Sequence, residues 1–125
     1  MGNSSSSSPA PLISVENGVT IIALGPEFET LDELKLDQIR EAILTVAEHG
    51  QAPTALLVDL SHTKFFGSSF IEVLFRVWNR VNQGGGKFAI CGLNSYCREV
   101  LQITHLDTVW KTFANRLEAL QWLAG

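Results

Sequence analysis

A chain of 125 residues, 46 % hydrophobic and 18 % charged, carries enough apolar material for one buried core, which excludes an intrinsically disordered protein. Thirteen acidic against nine basic residues give a net charge of −4 with no Lys/Arg run, which argues against nucleic-acid binding by phosphate neutralisation. The longest apolar stretches fall far short of the ~20 residues that span a bilayer.

Residues 1–11, MGNSSSSSPAP, are low-complexity and are expected to form a disordered tail ahead of one domain over 12–125. Gly2 and Ser6 fit the Met-Gly-x-x-x-Ser pattern of N-myristoylation, although a serine-rich tail produces that match by composition alone. Leu12 to Val15 and Val19 to Leu24 read as two strands joined at Asn17-Gly18, the strongest short hairpin signal. Leu31, Leu34, Leu36, Ile39, Ile43, Val46 and Ala47 recur at helical spacing, and Gly50 stops that helix after His49. Asp32, Glu33, Asp37 and Glu41 make a solvated acidic patch near its start, where the helix dipole favours negative charge.

Thr54 to Leu60 is a continuous apolar run, the mark of a strand covered on both faces. Ser69 to Gln83 reads as a second helix closed by Gly84-Gly85-Gly86. Then come a buried strand over Lys87 to Cys91, a helix over Tyr96 to Ile103 and a short strand over Val109 to Phe113. Asn115 to Leu123 completes the chain as a helix with Leu117, Leu120 and Trp122 or Leu123 inward. The order β-β-α-β-α-β-α-β-α predicts an α/β fold, a mixed sheet of about five strands with four helices packed on it.

Placed at 100° per residue, Phe70, Leu74, Val77, Trp78 and Val81 share one face of the second helix, with Ile71 beside them. Glu72, Arg76, Asn79, Arg80 and Gln83 share the other face with Ser69, while Val73 and Phe75 lie on the borders. Ser69-Phe70-Ile71-Glu72 matches the S-x-x-E capping box, a purely structural role worth about 1 kcal/mol. The same place suits a phosphate, because the first N–H groups of a helix point outward and its dipole favours negative charge. Both roles are open on the residues alone.

The stretch LLVDLSHTKFFGSSFIEVL resembles the STAS domain, best known from bacterial anti-sigma factor antagonists: an apolar strand, a D-L-S turn and a serine pair opening a helix. The resemblance runs on through KFAICGLN, through Val100, Thr104 and Leu106 in REVLQITHLD, and into the terminal Glu118-Ala119-Leu120. It implies a non-enzymatic cytoplasmic binding module whose partner is an anti-sigma factor that is also a serine kinase of the histidine-kinase-like ATPase type. It also implies that phosphorylation of the second serine, here Ser69, ends the interaction and that a phosphatase restores it. Candidate contacts are Lys64, Phe66, Ser68, Ser69, Val73 and Arg76. The chain departs from the family motif at Gly67 in place of Asp, at Phe70 in place of Gly, and at Glu72 in place of a small residue.

Other chemistry finds less support. Asp59, Ser61 and His62 crowd into one turn, which suits turn hydrogen bonds better than a catalytic triad, and no G-x-S-x-G elbow is present. Cys91 and Cys97, with no secretory signal peptide, read as reduced thiols; without a His/Cys set at ligand spacing no metal or cofactor is expected. Two alternatives stay open: a phosphorylation-independent scaffold, such as a subunit of a signalling or lipid-transporter complex, and a sensor of a small nucleotide or lipid ligand.

Overall fold

In the computed structural model, which describes residues 10–125, five strands build one mixed sheet and two shorter segments pair beside it. Strands β1 (Leu12–Glu16) and β2 (Val19–Ala23) form an antiparallel hairpin with Glu16 opposite Val19, so the loop is Asn17-Gly18 alone. Both loop residues have positive φ, 52° and 79°, as a turn that matches strand twist requires. There follow β3 (Thr30–Leu31), α1 (Glu33–Glu48), β4 (Ala55–Asp59), β5 (Phe65–Phe66), α2 (Ser68–Gln83), β6 (Lys87–Cys91), α3 (Ser95–Ile103), β7 (Lys111–Phe113) and α4 (Arg116–Ala124). The sheet order is β1-β2-β4-β6-β7, parallel in every pairing beyond the hairpin.

This is the expected alternation of five strands and four helices. Two features go beyond it: β3 and β5 pair in parallel, Thr30 with Phe65 and Leu31 with Phe66, and single 3-10 turns occupy Pro26–Phe28 and Leu106–Thr108.

Helices α1, α2 and α3 cover one face of the sheet and α4 the other. On the first face Ile22, Leu56, Val58, Phe88 and Ile90 pack with Ile39, Ile43, Phe70, Leu74, Val77 and Leu101. On the second, Ile21, Leu57 and Ala89 pack with Ala119, Leu120 and Leu123. Every residue of β4 is therefore buried, which is why its sequence is apolar without alternation. Burying each large aliphatic or aromatic side chain stabilises the fold by about 1.5–3 kcal/mol.

Helix boundaries correct several expectations. Asp32 accepts the Lys35 N–H at 2.9 Å, so α1 begins at Glu33 and Leu31 falls in β3. Leu34, at the second position of α1, turns outward and is 73 % exposed. Asn115 caps α4 in the same way, which turns Leu117 outward and gives the inner face to Ala119, Leu120 and Leu123. Residues 1–9, with the Gly2 and Ser6 pattern and most of the expected tail, lie outside the described residues; Pro11 is buried. Among the described residues no helix is long and apolar enough to cross a membrane.

Candidate partner-binding site

Strand β4 runs to the end of the sheet where strand C-termini and helix N-termini gather, the usual place for recognition in open α/β sheets. The ladder continues past it: Leu60 N–H donates to the Cys91 carbonyl at 2.9 Å, and Leu24 N–H to the Asp59 carbonyl at 3.2 Å. Asp59 is buried, and its Oδ1 accepts the Ser61 backbone N–H at 3.0 Å and the Ser61 hydroxyl at 2.5 Å. Its Oδ2 meets the Arg116 guanidinium at 2.9 Å and 3.0 Å. Burial works to raise the Asp59 pKa, but the Ser61 bonds and the Arg116 cation outweigh it and hold the carboxyl below its ordinary value. Asp59 and Ser61 thus take the turn-forming role expected of them, while His62 is exposed. The nearby Cys91 thiol is pushed up to about 12 by burial and by the Asp59 charge, and burial lifts Cys97 to about 11, so neither is a reactive thiolate.

From this anchor the turn is pinned to its neighbours. Buried Thr63 donates its hydroxyl to the Phe28 carbonyl at 3.3 Å, and the Lys64 and Phe65 N–H groups donate to the Glu29 carbonyl at 2.7 and 3.1 Å. Asn94 Nδ2 donates to the Lys64 carbonyl at 3.0 Å, tying in the start of α3. Lys64 Nζ lies 3.2 Å from Glu29 and stays well exposed. Phe65 stacks on Tyr96 with ring centroids 5.6 Å apart, both rings exposed at the surface.

The start of α2 differs from that of the other helices. Asp32, Asn94 and Asn115 each accept a first-turn N–H, from Lys35, Cys97 and Glu118. Helix α2 starts instead on Gly67, which has no side chain to accept, and the Phe70 and Ile71 N–H groups turn to the Gly67 carbonyl at 3.2 and 3.3 Å. The Ser68 and Ser69 N–H groups precede any intrahelical acceptor. The S-x-x-E capping box is not formed, because Gly67 holds the cap position and Ser69 is the second helical residue, two past it. Its hydroxyl donates instead to Glu33 Oε2 in the first turn of α1.

That contact follows from topology. Parallel strands joined by crossovers on one face lay α1 and α2 side by side in the same direction. Ser69 meets Glu33 at their starts, while Arg76 makes a two-point ion pair with Glu48, at 2.7 and 3.2 Å, near the end of α1. Arg80 reaches the Ala47 and Gly50 carbonyls beyond it, at 3.2 and 2.8 Å.

Of the six candidate contacts, Lys64, Ser68 and Arg76 are exposed and Ser69 is half-buried. Phe66 and Val73 require correction: they are 2 % and 3 % exposed and belong to the core, so neither can touch a partner. Phe66 packs on Phe70 at 5.4 Å, and Val73 turned inward because α2 is covered more widely than a half-and-half projection allows. Glu33, Phe65 and Tyr96 belong to this surface and were not among the candidates. Glu33 could have been found from the crossover rule, which sets adjacent first turns together.

A family model for the STAS domain matches residues 11–119. The chain belongs to the STAS domain family. The anti-sigma-F factor antagonist RsfB of Mycobacterium tuberculosis is 29 % identical over 109 residues, covering 87 % of this chain and 84 % of the relative. An anti-sigma-factor antagonist (STAS) domain protein from Planctomyces limnophilus superposes with a TM-score of 0.86 at 38 % identity, covering 93 % of this chain and 99 % of that one. The Bacillus cell fate determinant SpoIIAA, solved in its phosphorylated form, shares the fold at a TM-score of 0.67 and 22 % identity, covering 90 % and 97 % of the two chains.

Proposed function

We propose that this STAS protein acts by binding, not catalysis, as an antagonist of an anti-sigma factor that is itself a serine kinase of the histidine-kinase-like ATPase type. It would work in the cytoplasm, with Ser69 as the switch and a phosphatase to reset it. The observation that carries the reading is the position of Ser69. It is the second residue of α2, at the sheet end where Lys64, Phe65, Ser68 and Tyr96 are exposed together. The antagonist relatives lend the partner class, and the phosphorylated Bacillus structure lends the chemistry of the switch. A phosphate there adds about −1.5 to −2 charge and three acceptor oxygens to a partly apolar contact surface, which a close-fitting partner would have to desolvate.

The test is incubation with the candidate anti-sigma kinase and ATP, followed by intact mass and site mapping. A mass gain at Ser69 is expected, and Ser69→Asp should weaken kinase binding at least about tenfold while Ser69→Ala keeps it. No mass gain, with binding unchanged in Ser69→Asp, would leave the phosphorylation-independent scaffold, a reading favoured by Glu33 and Glu72 standing beside Ser69.

A further inference from the structure

Resting on the reading of Ser69 as a phosphorylated residue, we infer that Glu33 is the resident anion of the switch. Its carboxylate holds the place that a Ser69 phosphate would take, and phosphorylation loosens the first turn of α1 by displacing it.

Because α1 and α2 run in parallel, their positive N-terminal ends lie next to each other. Glu33 is the first residue of α1 and accepts the Ser69 hydroxyl proton, so one carboxylate serves both helix starts. Esterification removes that proton. The carboxylate loses its donor and faces a nearly dianionic group in the same space, and exposed Glu72, three residues along α2, adds a second like charge.

Retreat of the backbone is restricted. The segment before α1 is β3 and the segment before α2 is β5, and these two pair with each other over two residues each. The Lys64 and Phe65 N–H groups hold the same junction through the Glu29 carbonyl. The two helix starts are therefore tied at short range just ahead of the repelling charges. Helix α1 responds where it is least supported, in the turn held by the Asp32 cap, and the two-residue β3–β5 pairing yields with it. Leu34, 73 % exposed on that turn, moves with it, so the phosphate alters the surface of α1 as well as that of α2.

The test places phosphoserine at position 69 by genetic encoding, in the otherwise native chain and in Glu33→Gln, and follows amide hydrogen exchange over residues 30–36 and 63–67. Glu33→Gln keeps the shape of an exposed side chain and should fold normally. In the native background the phosphate is expected to speed exchange of residues 30–36 about threefold or more, and in Glu33→Gln by less than half as much. Thermal unfolding of the same four proteins should show the phosphate lowering Tm more with Glu33 present than in Glu33→Gln. Equal effects in the two backgrounds would overturn the inference by showing that α1 responds without Glu33, and no effect in either would overturn it by showing that Glu33 swings into solvent without moving α1. Installing the phosphate directly bypasses the kinase, so this result stands apart from whether a kinase modifies Ser69.

Discussion

Replacing Arg116 with methionine would leave Asp59 buried with Ser61 as its remaining donor. Breaking a fully buried ion pair costs about 3–5 kcal/mol. The Arg116 side chain is 37 % exposed, so water reaches the vacated space and screening reduces the loss to about 2 kcal/mol at pH 7. For a domain of this size that is a fall in Tm of about 6–10 °C. The pH dependence separates charge from packing. Asp59 has a native pKa below its unfolded value, so its ionic contribution is complete above about pH 4–5 and is lost as pH falls through the native pKa. The gap between native and Arg116→Met should therefore be widest at neutral pH and narrow steadily below about pH 4. Urea unfolding followed by circular dichroism at pH 7, 4 and 3, on Arg116→Met, Asp59→Asn and the double variant, measures both the gap and the coupling. A gap of equal size at pH 7 and pH 3, or a double variant whose loss is the sum of the single losses, would refute the electrostatic account. Arg116 would then act through its aliphatic stem.

Two further outcomes concern glycines of opposite character near the same turn. Gly92 has φ +79° and a Cβ there would lie 2.4 Å from Ser61 Oγ, 2.8 Å from its Cα and 2.9 Å from its backbone nitrogen. Gly92→Ala should cost about 2–4 kcal/mol by urea unfolding, and a loss under about 0.5 kcal/mol would contradict the close approach. Gly67 has ordinary φ, −103°, and open space at its Cβ. Gly67→Asp should therefore supply the missing cap and raise stability by about 0.5–1 kcal/mol, where an unchanged or lowered urea midpoint would show the first turn of α2 already satisfied.

What could be read from the residues divides along the range of the interactions. The hairpin at Asn17-Gly18, the doubly buried β4 and the apolar stripe of α2 rest on local pattern, and periodicity displays local pattern directly. The two-residue pairing of β3 with β5 joins segments 35 positions apart and has no periodicity to show. Leu34 and Leu117 were misplaced because a helical projection fixes angles along the helix but not where the cap starts it, and both sit in a first turn that faces out. At the candidate site the address of Ser69 was legible and its company was not. Glu33 lies 36 residues away in sequence, and the capping-box pattern offered a nearer partner in Glu72. Phe66 reads as a contact because it lies in the polar turn before α2, and Val73 because a projection sets it on the border of the solvent face. In the fold Phe66 packs on Phe70, and Val73 joins the core where α2 lies beside α1 on the sheet.

The pinned turn also has a kinetic meaning. Only the β1–β2 hairpin can form from neighbouring residues; the other strand pairings need a crossover to close first, which makes the assembly of this sheet slow relative to the hairpin. The turn that presents Ser69 is held by bonds to Phe28, Glu29, Cys91 and Asn94, segments that meet only after β2, β4 and β6 are in register. The order of this turn therefore depends on long-range contacts and not on its own residues alone. A partner that binds the proposed Ser69 surface would meet it only after β2, β4 and β6 have come together.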